Sequence, residues 1–220
     1  MTEMTYSARD VSSVLEISAA DMQAHVEELR QLDSQLGDGD LGITIDMVCK
    51  ALRAYLTSPG TDDIGKLLMN CAAKINQANP STFGTLLSAG FMGAAKAAQG
   101  KHALTLEDLA TVGQAAVAGI RKLGKADAGD KTLLDALIPA VNSFESKVKE
   151  RVAVELAFES SVEAAKKGME STTAMKAKFG RAAWHQDKSI GVQDAGATAI
   201  YFAIETFVKH IITINTVKRP

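Results

Sequence analysis

Residues 32–42 read Leu32-Asp33-Ser34-Gln35-Leu36-Gly37-Asp38-Gly39-Asp40-Leu41-Gly42, and this run lies where one predicted helix ends and the next begins. It places three carboxylates, Asp33, Asp38 and Asp40, within eight residues. Negative charges at this density repel one another unless a cation neutralises them. Oxygen ligands without a neighbouring Cys or His favour Mg²⁺ or Ca²⁺ over zinc. The run therefore predicts a divalent-cation site at a junction between two helices.

Other interpretations of the acidic run stay open. It is also compatible with a solvated turn in which Asp40 caps the following helix. An EF-hand fits less well, because the third loop acid and the final loop glutamate of that motif are missing. Gly37, Gly39 and Gly42 favour a ligand site, since glycine lets the backbone approach a ligand closely. Mg²⁺ held by carboxylates commonly also binds substrate phosphates.

Outward from this run, apolar residues recur at helical spacing in both directions. They predict a first helix over Ala8–Gln35 and a second over Ile43–Leu56. Six more helices are predicted: a third after the cap Thr61–Asp63, a fourth over Phe83–Ala98, a fifth after Thr105, a sixth over Lys131–Lys149, a seventh over Val152–Met175 and an eighth over Ala195–Ile212. No stretch alternates with the period of a strand, so the sequence predicts an all-α fold with short links between antiparallel neighbours.

The composition agrees with a helical protein. The 220 residues are 46% hydrophobic but only 5% aromatic, which suits close-packed helices in one domain over residues 1–220. A net charge of −2 without a basic stripe argues against nucleic acid as a partner. We expect no membrane span, no signal segment in residues 1–10, and a cytoplasmic protein. Cys49 and Cys71 lie in predicted helices and are expected to be buried and unpaired.

Four loops are rich in glycine, hydroxyl and charged residues: Gly37–Thr44, Asn79–Gly84, Gly124–Lys131 and Gly180–Thr198. They follow the first, third, fifth and seventh predicted helices. Alternate loops of an up-and-down arrangement share one end of the molecule. We therefore expect the four loops to form one composite site.

Each of the other three loops has a functional and a structural interpretation. The helix start at Ser81-Thr82-Phe83-Gly84 suits an anion, or Ser81 is an ordinary cap. The third loop suits a planar ring, or Asp130 caps the next helix. In the fourth, Arg181 suits phosphates or a surface salt bridge, and Asp194 could cap the last helix. No GxxxxGK[ST] motif and no preceding strand are found, which excludes a P-loop and a Rossmann turn.

Three motifs, in order along nearly the whole chain, resemble the L subunit of bacterial dihydroxyacetone kinase, equivalent to the nucleotide-binding domain of the single-chain dihydroxyacetone kinases. They are LDxxxGDGDxG at Leu32–Gly42, GKAxxGDKTxxD at Gly124–Asp135 and GRAxWxxxxSIGxQDxGAT at Gly180–Thr198. The resemblance implies a barrel of eight antiparallel helices with the nucleotide site at one end.

The resemblance also implies ligands and the residues that hold them. The cofactors would be ADP or ATP and two Mg²⁺ ions, with Asp33, Asp38 and Asp40 as metal ligands. Together with Arg181, these aspartates are the expected catalytic residues. Further nucleotide contacts are implied at Leu41, Gly42, Ile43, Thr44, Ser81, Thr82, Phe83, Gly84, Gly124, Leu133, Asp194, Ala195 and Gly196, besides Arg181 itself.

The chain departs from the family pattern at three places. Leu41 stands where the family usually has His. The turn Pro80–Gly84 replaces a glycine- and serine-rich GG(A/T)SG turn, with Phe83 at the serine position. An Asp-Pro-Gly run has become Asp194-Ala195-Gly196. These changes concern the phosphate contacts and leave the three metal-binding aspartates in place.

The implied function is phosphoryl transfer to dihydroxyacetone, or to a relative such as erythrulose, held on a separate K subunit. Bound ADP would be rephosphorylated by a phosphohistidine carrier of the sugar phosphotransferase system. Exchangeable ATP as the direct donor is one alternative. A nucleotide-sensing module that contacts a transcription activator without turnover is another, and a helical Ca²⁺-binding scaffold is a third.

Overall fold

A computed structural model of the chain describes residues 4–218, and helices dominate it. The described part contains nine α-helices: α1 Ala8–Met22, α2 Val26–Asp33, α3 Leu41–Leu56, α4 Ile64–Ala78, α5 Thr82–Ala97, α6 Leu106–Gly124, α7 Leu134–Lys149, α8 Val154–Ser171 and α9 Ala195–Lys218. Residues 1–3 and 219–220 lie outside it, so the predictions of one domain over 1–220 and of no signal segment in 1–10 extend beyond the described residues.

The helices form a closed ring. From α3 to α9, each helix packs against the next one along the chain, while α1 and α2 both pack against α3. The ring closes where α9 packs against α1. Because α1 and α2 together take one place in the ring, the predicted barrel of eight antiparallel helices is confirmed.

The predicted first helix, Ala8–Gln35, is wrong as a single element, because a 3₁₀ turn at Gln23–His25 separates α1 from α2. The His25 ring stacks on Phe202 of α9, with centroids 3.9 Å apart and planes at 18°. Gln23 Nε2 donates a hydrogen bond to Asp46 Oδ1 of α3 over 3.0 Å. Contacts with two other helices thus hold the bend, which no Pro or Gly marks in the sequence.

Other boundaries differ by a few residues. Helix α3 begins two residues before Ile43, and α7 begins three residues after Lys131, whose φ of 60° is incompatible with a helix. Short 3₁₀ segments follow α8 at Thr172–Ala174 and occupy Arg181–Ser189 in the predicted long loop. The prediction of no strand is wrong at one place: β1 (Tyr6–Ser7) pairs antiparallel with β2 (Ala103–Leu104). Two residues are too few to show alternation.

Small residues let neighbouring helices approach closely. A Cβ on Gly93 of α5 would lie 2.2 Å from the Ala115 carbonyl oxygen of α6, and one on Gly119 would lie 2.4 Å from the Ala89 oxygen. The small residues of the predicted fourth helix therefore serve helix–helix packing. Cys49 and Cys71, on α3 and α4, are buried and free as expected.

Among the described residues, one segment, Ala195–Val217 of α9, is long and apolar enough by length and composition to cross a membrane. Its mean hydropathy is 1.3, although Glu205 and Lys209 interrupt it. The same helix packs against α1, α7 and α8 in the ring. Because core helices pass the same test, this segment is weak evidence for a membrane span.

Candidate functional site

Three acidic side chains converge where α2 passes into α3. Asp33 is the last residue of α2, and Asp38 and Asp40 lie in the turn that follows. One carboxylate oxygen from each lies within 4.8 Å of the other two. A cluster of three carboxylates at this separation fits a hard divalent cation with oxygen ligands.

The Asp40 side chain is directed to this cluster and not to its own helix. Asp40 occupies the N-cap position of α3, but its side chain forms no capping hydrogen bond. The interpretation of Asp40 as a capping side chain is therefore wrong. Burial raises the pKa of Asp40, and the charges of Asp38 and Asp33 add to the shift, while Arg181 opposes it. A cation bound at the cluster would relieve this repulsion.

Two glycines of the acidic run make the cluster possible. A Cβ on Gly37 would lie 2.5 Å from Asp33 Oδ1, so a larger residue at position 37 would displace the Asp33 carboxylate. A Cβ on Gly42 would lie 2.5 Å from the Val26 carbonyl oxygen, so this glycine lets α3 begin against α2. The glycines of the run thus accommodate the protein's own carboxylate and helix.

Arg181 brings a permanent positive charge to the cluster from a segment distant in sequence. Its Nη2 lies 2.8 Å from Asp38 Oδ2, and its Nη1 lies 3.6 Å from Asp40 Oδ2. All three side chains are about half exposed, so the pairs are screened and contribute little to stability. Their importance is positional, because a guanidinium beside carboxylates is also a fork for phosphate oxygens.

A cavity of about 1160 Å³ opens next to the cluster, and residues from all four predicted loops line it. Twelve of the predicted site residues are on its wall: Asp33, Asp40, Leu41, Ser81, Thr82, Phe83, Gly124, Leu133, Arg181, Asp194, Ala195 and Gly196. The predicted positions that are not on the wall are Asp38, Gly42, Ile43, Thr44 and Gly84. The structure thus brings the four loops together at one end of the barrel.

The positions off the wall have other surroundings. Asp38 belongs to the acidic cluster and also pairs with Arg181. Ile43 is exposed, whereas Thr44 is fully buried and its Oγ1 accepts a hydrogen bond from Asn79 Nδ2 over 2.8 Å. The Gly84 amide donates to Ser81 Oγ over 3.0 Å. Thr44 and Gly84 therefore support the wall from behind.

The start of α5 faces the cavity. Ser81 caps this helix, as its ordinary structural interpretation predicted, by accepting from the Gly84 amide. Thr82 and Phe83, the first two residues of α5, line the cavity. The positive end of a helix dipole favours negative ligands, so this wall suits phosphate groups.

The third loop is held by Asp135 of α7, which is buried. Its carboxylate accepts hydrogen bonds from the Gly129 amide over 2.6 Å and the Thr132 amide over 2.7 Å. The interpretation of Asp130 as a helix cap is wrong, because its carboxylate accepts from the Asp127 amide and from Lys178 Nζ. Carboxylates at its C-terminal end therefore hold the loop that lines the cavity.

Asp194 caps α9 and lines the cavity at the same time. Its Oδ2 accepts from the Ala197 amide over 2.7 Å, which agrees with the structural interpretation. Burial raises the pKa of Asp194 to about 6, although the Ala197 hydrogen bond and Lys131 lower it. A carboxyl group in this state can change its protonation near neutral pH.

Sequence reasoning missed part of the wall. Three wall residues were given no role, although their place inside the quoted motifs was a signal for one: Lys131, Thr132 and Trp184. Phe179 carries no such signal. The largest missed group is apolar and lies near helix ends, where periodicity alone does not separate wall residues from core residues: Leu32 and Leu36, which lie inside the first motif, and Leu86, Ile120 and Leu123, which lie outside all three motifs. This apolar wall suits a planar ring.

The comparisons with known proteins agree with the geometry. Residues 35–209 match the DAK2 domain model. The chain is 32% identical over 179 residues to the "PEP-dependent dihydroxyacetone kinase, ADP-binding subunit DhaL" of Escherichia coli (strain K12), covering 81% of this chain and 85% of that one. It is 29% identical over 220 residues to the "PEP-dependent dihydroxyacetone kinase 2, ADP-binding subunit DhaL" of Listeria innocua, covering 96% and 98%.

A similar fold occurs in the crystal structure of the dihydroxyacetone kinase from C. freundii in complex with AMP-PNP and Mg²⁺, with a TM-score of 0.71 and 24% identity. That match covers 90% of this chain and 33% of the larger one. The helical barrel with an acidic cluster at one end defines an all-α domain with a candidate cation site. The chain belongs to the DAK2 domain family, with relatives of the DhaL type.

Proposed function

We propose that this chain is a single-domain, nucleotide-binding subunit of a dihydroxyacetone-type kinase. It binds ADP or ATP with Mg²⁺ and takes part in phosphoryl transfer to a hydroxyl group of dihydroxyacetone or a related short keto-sugar. The observation that carries the proposal is the convergence of Asp33, Asp38, Asp40 and Arg181 at the mouth of a cavity of about 1160 Å³. The names of the E. coli and Listeria relatives support ADP as a ligand.

The donor set fits Mg²⁺. Asp33, Asp38 and Asp40 offer carboxylate oxygens within 4.8 Å of one another, and the charges of Asp38 and Asp33 help to raise the pKa of Asp40. These three residues would hold two Mg²⁺ ions, which supply charge neutralisation for phosphoryl oxygens when bound. This assignment uses only side chains that already point to one place.

The chain's other residues orient the nucleotide and its charge. Arg181 offers a guanidinium fork beside the carboxylates, where it can balance negative charge on phosphates. The first turn of α5 at Thr82 and Phe83 adds the positive end of a helix. The apolar wall described above, together with Leu133, would exclude water from a bound ring. No protein nucleophile is required for this chemistry.

The proposal extends to the partners. The sugar is held on a separate K subunit, and bound ADP is rephosphorylated by a phosphohistidine carrier in the cytoplasm. The word "subunit" in the relatives' names supports the first part, and "PEP-dependent" supports the second. Contact with a transcription activator, which the resemblance implies, stays a prediction.

Reconstitution with a cognate K subunit and dihydroxyacetone tests the proposal. Asp38→Ala removes one carboxylate from an exposed turn, and we expect a loss of turnover of about 100-fold or more. The matched control is Asp62→Ala, which removes a carboxylate that is 89% exposed and paired with His102. Equal turnover of Asp38→Ala and wild type would contradict the proposal. Turnover with phosphoenolpyruvate and its carrier proteins, but not with free ATP, is the expected donor preference.

A further inference from the structure

Lys131 is a buried lysine between two of the loops that form the cavity. Only 1% of the residue is exposed, and its Nζ donates hydrogen bonds to the carbonyl oxygens of Thr172, over 2.6 Å, and Val192. Burial lowers the pKa of Lys131, while Asp194 and Asp135 favour its charged form. A buried ammonium group is tolerated only where acceptors satisfy it, so these two carbonyls are essential to its placement.

The two acceptors are the two ends of one segment. Residues 173–191, which carry Arg181 and Trp184, leave the barrel after Thr172 and return to it before Val192. Backbone contacts also close the base of this segment: the Gly191 amide donates to the Thr173 oxygen over 2.8 Å, and the Asp194 amide donates to Thr172 Oγ1 over 2.9 Å. The Lys131 ammonium group thus ties both ends of the Arg181 segment to the third loop, which Lys178 of the segment also contacts through Asp130.

Internal hydrogen bonds make the segment stiff beyond its base. The Ala177 amide donates to Ser189 Oγ over 3.0 Å, and Ser189 Oγ donates to the Gln186 oxygen over 2.6 Å. Lys176 pairs with Asp187 over 2.9 Å across the segment. These contacts connect the two sides of the segment on either side of Arg181.

The backbone conformation at Lys131 recurs at a second lysine of the same loop. Its φ of 60° lies in the left-handed region, which is unfavourable for residues other than glycine. Lys125 in the same loop has nearly the same φ, 59°, but its side chain is exposed. The pair therefore offers a matched comparison, with equal backbone strain and opposite burial.

We propose that Lys131 is a positioning residue, which holds Arg181 against Asp38 and Asp40 by clamping the base of segment 173–191. The importance of that position for nucleotide binding rests on the proposed function. The clamp itself does not depend on any ligand, so the two can be tested separately.

The clamp is tested first, without nucleotide, by hydrogen exchange at the Gly191 amide and by the fluorescence anisotropy of Trp184, the single tryptophan of the chain. In Lys131→Met we expect exchange at Gly191 to accelerate by about 10- to 100-fold, the factor for losing a hydrogen bond to a charged group. Trp184 anisotropy should fall. Lys125→Met should leave both values unchanged.

Unchanged exchange and anisotropy in Lys131→Met would overturn the clamp. If that variant does not fold, Lys131→Gln replaces it, because glutamine is neutral and too short to reach both carbonyls. The same acceleration at Gly191 is expected there, and wild-type exchange in a folded Lys131→Gln protein would equally overturn the proposal.

The positioning role is tested by a double-mutant cycle on ADP affinity in the presence of Mg²⁺, using wild type, Lys131→Met, Arg181→Met and the double variant. We expect Lys131→Met to weaken binding by about tenfold in the wild-type background and by less than about twofold when Arg181 is absent. Equal losses in both backgrounds would show that Lys131 does not act through Arg181. Wild-type protein that fails to bind would contradict the proposed function, while the exchange result would still decide the clamp.

Discussion

At the scale of single residues, Asp40 is the member of the acidic cluster whose negative charge is disfavoured by its surroundings. Burial raises its pKa, and Asp38 and Asp33 add to the shift, so the folded chain disfavours a negative charge where it holds three carboxylates. Arg181 supplies part of the missing positive charge. The cluster therefore has the property expected of a cation site, since its repulsion falls when an ion binds.

The first prediction concerns the space for Asp33. In Gly37→Ala the new Cβ would lie 2.5 Å from Asp33 Oδ1, so the carboxylate must move. We expect Mg²⁺-dependent ADP affinity to fall by about tenfold or more, the usual effect of misplacing a metal ligand. Isothermal calorimetry measures it. Gly60→Ala is the control, because it strains the backbone at a φ of 66° but its Cβ meets nothing within 4 Å. Wild-type affinity in Gly37→Ala would mean that Asp33 does not need its observed position.

The second prediction concerns the protonation of Asp194. In the folded chain its pKa is about 6, against 3.8 for the free side chain. Between these values the folded state binds more protons than the unfolded state, so the contribution of Asp194 to stability is lost as the pH rises. Compared with wild type, the unfolding free energy of Asp194→Asn should therefore increase from pH 4 to pH 6 and then level off. Urea unfolding in EDTA measures this difference, and parallel pH profiles would contradict it.

Residue roles could be predicted where their signal is contiguous in sequence. One short run contains Asp33, Asp38 and Asp40, so a turn is enough to bring their carboxylates together. Lys131 could not be placed in the same way, because its acceptors are backbone oxygens 41 and 61 residues further along the chain. Every residue carries such an oxygen, so nothing in the sequence singles these two out.

At the scale of elements, apolar periodicity predicted the helices but not their interruptions. The bend at Gln23–His25 depends on contacts with Phe202 and Asp46, which belong to other helices. The delayed start of α7 depends on the left-handed backbone of Lys131. Both features come from tertiary contacts, which override local helix propensity. The small residues of α5 allow its close approach to α6.

The third prediction tests this approach. In Gly93→Ala the Cβ would lie 2.2 Å from the Ala115 oxygen, so α5 and α6 must separate. We expect a loss of about 1–3 kcal/mol in the free energy of unfolding, although alanine by itself favours a helix by about 1 kcal/mol. Ala118→Gly, at an exposed position of α6, measures that propensity separately. A Gly93→Ala protein more stable than wild type would contradict the close packing of α5 on α6.

At the scale of the whole molecule, closure of the ring decides where the loops meet. Helix α9 packs against α1, and Asp21 of α1 lies 2.8 Å from Lys209 Nζ and 2.9 Å from His210 Nε2 of α9. The closed ring places the loops after alternate helices at one end, around one cavity. The order of the loops along the chain predicted which of them belong together. The contacts that close the ring could not be predicted in this way, because they join residues nearly 190 positions apart.

We expect this end of the barrel to bind ADP through a cation held by the acidic cluster. Calorimetric titration of ADP into the purified chain, with Mg²⁺ and then with EDTA, tests it most directly. We expect tight binding, or protein already saturated with ADP, in the presence of Mg²⁺, and a large loss of affinity in EDTA. Equal affinity under both conditions, or no binding by nucleotide-free protein, would contradict it.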